Sequence, residues 1–337
     1  MADDVVYMPR QAAEDMVQAV LEKSGTSPGN ALSVARALVA AEIDGQAGHG
    51  FSRVASYAAQ ARSGKVDGRA TPEIVQRAAA YAGIDAGNGF AFPAIDLAID
   101  TLTELTPKTG IAGAGIRRSH HCGQLGAHVE RLAEQGLVAL MVANAPQAMA
   151  PWGGHAPLFG TNPIAFAAPR KDTAPLVIDL SLSKVARGKV MAASKAGRPI
   201  PEGWALDKDG QPTTDPKAAL AGTMIPAGDA KGAALALIVE ILAATLIGAN
   251  HSFEATSFFD ADGAPPGVGQ TIITFAPDLV SGNNFADRIE VLIGEIEAQD
   301  GTRLPGNRRF NAREEARNRG VAVPAHLLEE IKKTGSA

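Results

Sequence analysis

The sequence predicts an α/β (α+β) fold that does not contain a Rossmann-type nucleotide domain. Three observations predict it. About the first seventy residues carry helical patterning only. From about Thr71 short β-prone runs, separated by glycine and proline, alternate with helical stretches. No Gly-x-Gly-x-x-Gly lies between a strand and a helix; the nearest string, Gly110-Ile-Ala-Gly113-Ala-Gly115, has the wrong spacing and runs into the strand-like Ile116. A Gly-x-x-x-x-Gly-Lys-Ser/Thr loop is absent as well.

The elements follow in order. Ser27 before Pro28 predicts an N-cap with proline at the first helical position, and Leu32, Ala35, Leu38 and Glu42 continue at helical spacing. A second helix is expected to start near His49 and run through Val54, Tyr57 and Ala61 until Ser63-Gly64 stops it. Strands are expected at 72–75, 81–85, 112–116, 138–142, 164–167, 176–179 and 270–275, with helices at 92–105, 125–135 and 233–246. The Pro/Gly-rich stretch 260–269 predicts a surface loop, and the polar tail from Asn311 predicts a helix returning to the N-terminal ones.

Bulk properties exclude several functions. A chain of 337 residues supports one large or two medium domains. A net charge of −5 offers no basic excess to neutralise phosphates, so no nucleic-acid partner is expected. The lone Cys122 rules out an internal disulfide and points to a reducing compartment, the cytoplasm. The N-terminus carries acids where a secretory leader carries bases. The most apolar run, 232–248, is broken by Glu240 and falls short of the roughly 20 residues of a membrane span, so no membrane partner is expected.

Several strings carry chemistry. In Gly48-His49-Gly50-Phe51-Ser52-Arg53, a helix starting here would put His49 and Arg53 on one face. Arginine grips a carboxylate with two parallel hydrogen bonds, and histidine exchanges a proton near neutrality, so the pair suits an acid substrate. A surface histidine and an ordinary helix arginine are the plain alternative. Ser119-His120-His121-Cys122-Gly123, with His128 beyond, invites a zinc-dependent hydrolase, although this spacing matches no common ligand set and no acid completes it. Histidines beside glycine where a strand yields to a helix suit a phosphate or a ring equally. Phe159-Gly160-Thr161-Asn162-Pro163 reads as a ligand-approaching turn or a plain hairpin. Asp179-Leu180-Ser181 ends a strand in groups suited to a ribose or phosphate. Arg303, Arg308 and Arg309 surround Pro305-Gly306, as a phosphate clamp or a basic loop.

Taken in order, HGFSR, SHHCGQLG, PWGG, LFGTNPIAFAAPR, VIDLSLSKVARGK, GRPIPEGWALDKDGQPTTDP, PAGDAKG and RLPGNRR resemble the malate/L-lactate dehydrogenase family of the second type. That family includes ureidoglycolate, sulfolactate and diketogulonate dehydrogenases and the Δ1-piperideine-2-carboxylate/Δ1-pyrroline-2-carboxylate (ketimine) reductases. The resemblance runs from about Ala41 to Gly320. It implies a non-Rossmann fold, with a central mixed, largely antiparallel sheet, flanking helices, and a helical domain built from both chain ends. Residues 1–75 with 310–337 would form that domain, and 76–309 the dinucleotide domain. It also implies a homodimer with active sites at the subunit interface.

The resemblance implies roles too. His49 becomes the proton donor and acceptor, with Lys189 as a second catalytic group. Arg53 and Gln147 hold the substrate. His121, Gly123, Gln124, Thr161, Asn162, Asp179, Leu180, Ser181, Lys231, Arg303, Gly306, Arg308 and Arg309 contact the dinucleotide. No metal is implied. NADPH is expected over NADH, because the three arginines suit a 2′-phosphate. The reaction is then hydride transfer to the α-carbon of a small 2-imino or 2-oxo acid. The ketimine reductases are the nearer look, in VERLAEQGLVAL and HSFEATSFFDADGAPPGVGQ, and a malate- or lactate-type hydroxy-acid dehydrogenase is the alternative. Three positions depart from the family pattern: Gly48 for a common serine, Lys189 for the acid of ketimine reductases, and Asp229-Ala230 before Lys231. The first and second also leave open a binding protein that holds the dinucleotide without turnover.

Overall fold

The computed structural model describes residues 4–336. β1 (Val5–Met8) leads into α1 (Arg10–Lys23), α2 (Pro28–Ile43), two short 3-10 turns (Ala47–His49 and Phe51–Arg53) and α3 (Val54–Ser63). β2 (Glu73–Ala78), β3 (Tyr81–Asp85), α4 (Ala91–Thr109), β4 (Ile111–Ser119), α5 (Leu125–Glu134), β5 (Val138–Ala143), β6 (Ile164–Ala168) and β7 (Leu176–Leu180) follow. After α6 (Arg187–Lys195), β8 (Ala205–Leu206), α7 (Pro216–Ala221) and β9 (Thr223–Met224) comes α8 (Ala230–Glu240), which continues into a π-helical turn (Ile241–Thr245). β10 (Val268–Phe275), α9 (Pro277–Ser281), α10 (Phe285–Glu297), α11 (Asn307–Arg319), β11 (Val321–Pro324) and α12 (Ala325–Thr334) complete the chain.

The central sheet has the order β2-β3-β4-β10-β5-β6-β7 among the described residues. Only β3 and β4 run parallel, joined by α4 as the crossover that a parallel pair requires; the other neighbours are antiparallel. The sheet is therefore mixed and mostly antiparallel, with helices on both faces. One face is small: Ala112, Ala114, Ala139, Ala165 and Ala167 are all buried, which lets α4 and α5 pack their Ile95, Leu102, Val129 and Leu132 close to it. On the other face the π-helical turn lies against β10, where a side chain at Gly269 would collide with the Ala243 carbonyl.

The two chain ends meet in a separate cluster. β1 pairs with β11 in antiparallel register, Val5 opposite Pro324 and Met8 opposite Val321. Val17 and Leu21 of α1, Val34 and Leu38 of α2, Val54 and Tyr57 of α3, Val323 and Ile331 share one buried core with Phe90 and Phe92. Residues 1–3 and 337 of the expected chain-end domain lie outside the described residues.

Two expectations need correction. The helix expected from His49 begins at Val54, because Gly50 takes an extended conformation (φ −101°, ψ −135°) that interrupts it. His49 and Arg53 consequently close successive 3-10 turns and do not share a helix face. The loop expected at 260–269 ends earlier, since β10 begins at Val268 and Pro266–Gln270 are buried. Strands β1 and β11 are too short to show a period against the helices beside them, and the amphipathic α10 went unread.

Candidate active site

Local sequence sets the His49 loop. Asp44 caps α2, and Gly45 turns the chain with φ 75°. At Gly50 a side chain would run into the Glu42 carboxylate, which accepts a hydrogen bond from the Phe51 amide at 2.9 Å. This contact clamps the loop on α2 and presents His49, half-buried, at the end of the first turn.

The His49 and His121 rings lie nearly parallel, 13° apart with centroids at 5.1 Å, and His49 Nδ1 is 3.1 Å from His121 Nε2. On its other nitrogen His121 meets the hydroxyl of Tyr57 at 2.5 Å. Tyr57, fully buried on α3, thus starts a chain Tyr57–His121–His49. Burial raises the Tyr57 phenol above its ordinary range, so it carries its proton. Burial, and next the Arg53 charge, lower His49 to about 4, and the same causes hold His121 well below its ordinary value. All three groups are uncharged at neutral pH.

Arg53 stands beside this chain. Its Nε donates to the Gly48 carbonyl at 2.7 Å, and its guanidinium lies 4.4 Å over the Phe259 ring. One terminal nitrogen, Nη1, is buried with no acceptor among the described residues. A buried guanidinium N–H without an acceptor costs free energy that an incoming carboxylate would recover. Phe258 covers His120 and His121 at centroid distances of 5.3 and 5.2 Å. Both phenylalanines ride on the loop after Ser252, which Lys65 and Gln60 fasten through Asp260.

A second group of residues gathers where β4 gives way to α5. Gly126 at the start of α5 donates to Asp179 Oδ2 at 2.7 Å, and Arg309 Nη1 would be 3.4 Å from a side-chain carbon placed there. Arg309 Nε is buried without an acceptor. Gly306 abuts Val177 and Arg309, and Gln124 donates to Asp44 Oδ2 at 3.1 Å. The Leu182 amide donates to the Thr161 carbonyl, bringing Thr161 beside Ser181. Arg309 also reaches Glu130 through Nη2 at 3.4 Å, and its free Nε, the N-terminus of α5 and the close glycines fit the pyrophosphate of a dinucleotide. Arg303 and Arg308 are exposed and face no carboxylate among the described residues.

Other expected site residues fall elsewhere. Asn162 is fully enclosed, and its amide nitrogen donates to Ala236 O and Glu240 Oε2, so its side chain holds the Thr161 turn. Lys189 is exposed in the first turn of α6 and makes no hydrogen bond with the histidine chain. Gln147 joins the site indirectly: its amide donates to Ser252 O, and its carbonyl accepts from Arg187. Leu180 and Lys231 are exposed. The three histidines diverge, with His128 on the Cys122 carbonyl at 2.8 Å and His120 boxed by Tyr57, Phe90 and Phe258. Among the described residues no group of three or more His, Cys, Asp or Glu is placed to hold a metal ion.

Sequence reading missed Tyr57 as a site residue, along with Phe258 and Phe259. The available signal for Tyr57 was its position four residues after Arg53, one helical turn further along α3.

Comparison with known proteins shows the family. The sequence model of the malate/L-lactate dehydrogenase family matches residues 8–332. A (2R)-3-sulfolactate dehydrogenase (NADP(+)) of Chromohalobacter salexigens is 52% identical over 322 residues, 95% of each chain. A Δ1-pyrroline-2-carboxylate/Δ1-piperideine-2-carboxylate reductase of Pseudomonas putida is 43% identical over 333 residues, 97% of this chain and 96% of its own. The solved Δ1-piperideine-2-carboxylate reductase of Pseudomonas syringae superposes with a TM-score of 0.92 at 39% identity, covering 98% of this chain and 99% of that one.

Proposed function

The chain belongs to the malate/L-lactate dehydrogenase family, and from that premise we propose that it reduces the C=N or C=O at the α-carbon of a small 2-imino or 2-oxo acid. It is an NAD(P)-dependent oxidoreductase. The observation that carries the substrate class is the buried, unpartnered Arg53 Nη1 beside His49.

When bound, NADPH supplies the hydride, and NADH is the alternative. Arg309, the α5 N-terminus and Asp179 would hold the dinucleotide, with Gly123, Gln124, Thr161, Ser181 and Gly306 close by and Arg303 and Arg308 toward a 2′-phosphate. Arg53 fixes the substrate carboxylate, which sets the distance from the α-carbon to His49. The proton route follows from valence. Tyr57 keeps its proton and has no other acceptor, so it donates to His121 Nδ1. His121 then carries its proton on Nε2 and donates to His49 Nδ1. His49 in turn carries its proton on Nε2, the nitrogen with no hydrogen bond to protein. As His49 gives this proton to the substrate nitrogen or oxygen, it takes one from His121, and because burial opposes a Tyr57 phenolate the chain takes up one proton from solvent in the same step. A neutral histidine thereby acts as the acid without first becoming charged.

Two substrates are supported by different observations. A cyclic ketimine is favoured by the Pseudomonas reductases, and by the apolar Phe258–Phe259 wall, which suits a ring. A sulfonated or plain 2-oxo acid is favoured by the sulfolactate dehydrogenase relative and by the cations Arg187 and Lys189 on α6. NADPH and NADH oxidation at 340 nm against Δ1-piperideine-2-carboxylate, Δ1-pyrroline-2-carboxylate, 3-sulfopyruvate, oxaloacetate and pyruvate tests both. Turnover of the cyclic imines establishes the reductase, and turnover of the oxo acids alone moves the protein to the hydroxy-acid branch. NADPH binding without turnover of any of them would sink the enzymatic reading.

The working unit in this proposal is a homodimer. Supporting it, α8 and the π-helical turn are apolar on nearly every side, yet Leu235, Ile238, Ile241 and Leu246 stand 43–66% exposed, with Phe253 and Phe259 nearby. Among the described residues no helix is long and apolar enough to cross a membrane. A cytoplasmic location is the reading that the lone, buried thiol of Cys122 supports.

A further inference from the structure

A groove of about 1140 Å³ opens away from the histidine chain, between the β1–α1 junction, the end of α2, the last turn of α5, the β6–β7 hairpin and the second half of α11. None of His49, Arg53, Tyr57 or His121 lines it. In a chain of net charge −5, its walls carry five arginines, at positions 10, 170, 313, 317 and 319, against only two acids, Glu130 and Glu134.

Not all of these arginines are available. Arg313 is locked by Asp44 and Glu130, and Arg170 by both oxygens of Glu290. Arg319 lies 4.1 Å over the Tyr7 ring and is paired with a carboxylate only in an exposed one-turn pair with Glu315, the kind of pair worth at most about 1 kcal/mol. Arg317 has no carboxylate within ion-pair distance among the described residues; its Nε reaches only the Arg313 carbonyl, at 3.3 Å. Next to these cations the groove is apolar, lined by Met8, Ile43 and the Phe310 ring. Free cations at one side and an apolar bed at the other recognise an anion with an apolar body.

The floor of the groove connects to the active site. Arg313 donates to both oxygens of Asp44, at 2.6 and 2.8 Å, and Asp44 Oδ2 also accepts from Gln124. Asp44 caps the helix that ends just before His49, and Gln124 follows His121 in the same loop. Both segments therefore rest on the helix that carries Arg317 and Arg319, which begin one turn beyond Arg313, and a ligand seated there bears on that contact.

We propose that this groove is a regulatory site for a small amphipathic anion, its carboxylate, sulfonate or phosphate head on Arg317 and Arg319 and its apolar body on Met8, Ile43 and Phe310. The binding half is independent of the substrate reading above, and the two can fail separately. The test uses the full-length enzyme saturated with NADPH and octane-1-sulfonate as probe, with binding followed by calorimetry. One saturable site per chain is expected, weakened at least tenfold by Arg317→Glu, a change on an exposed helix face that leaves the fold intact. With the substrate identified by the panel, saturating probe should shift the wild-type KM at least threefold and leave that of R317E unmoved. Absence of saturable binding, displacement by NADPH, or equal binding by R317E would overturn the site. A KM that does not move, or that moves equally in R317E, would overturn its regulatory role.

Discussion

At the scale of single residues, the site combines an uncharged proton chain with one buried cation. His49→Ala removes the last link, and a loss of roughly 100-fold or more in kcat is expected, with dinucleotide binding by calorimetry unchanged. Full turnover would mean that the proton comes from another group. Arg53→Ala should act mainly on KM for any carboxylate substrate, raising it by about two orders of magnitude; an unaltered KM would place the anchor elsewhere. The histidines also couple folding to pH. Burial chiefly lowers His120 to about 3 and His128 to about 4, whereas an unfolded histidine titrates near 6.5. The unfolded chain therefore takes up protons first as the pH falls. The stability from these two groups is complete above about pH 6.5 and drains away toward pH 4. At pH 5.5 the two together should cost about 2.5 kcal/mol relative to neutrality. Urea midpoints that stay level between pH 7 and 5.5 would contradict their burial as neutral rings.

At the scale of elements, α11 is held by charge more than by apolar packing. It has no buried residue, yet Arg313 ties it to the end of α2 through Asp44 and to α5 through Glu130. Both carboxylates are at least 94% enclosed by protein, Asp44 2% and Glu130 6% exposed. Arg313→Ala would leave Asp44 with Gln124 and Glu130 with the longer Arg309 contact, and a loss of about 3 kcal/mol in urea unfolding is expected. Dinucleotide affinity should fall with it, because Gln124 rests on Asp44. A variant as stable as the parent would show that α11 is held by other contacts. The same scale explains the misplaced helix start. Local spacing allowed a helix from His49, but the Glu42 carboxylate and the extended Gly50 favour two short turns that aim both side chains at the site.

At the scale of the whole molecule, the unpartnered face of α8 argues for a second copy. Ile238, 51% exposed, sits in the middle of that face. Ile238→Asp should turn a dimer into a monomer in sedimentation velocity, and lower turnover if the partner completes the site. A wild-type chain that sediments as a monomer at micromolar concentration would remove the dimer from the proposal.

The sequence by itself determined the class of fold, through the change of period near Thr71, a local property that short-range spacing records. The kind of reaction came through the family resemblance that the ordered strings from HGFSR to RLPGNRR carry. The sequence offered Arg53 and His49 as a candidate pair beside a plain alternative, and their roles came from the resemblance. Tertiary structure alone decided that Tyr57 and His121 stand behind His49, since the hydrogen bond joining them spans 64 positions of chain. It enclosed the Asn162 side chain, because enclosure is a property of packing that composition does not carry. It also created the arginine groove, whose walls come from both chain ends and a distant hairpin, and which no single stretch of sequence contains.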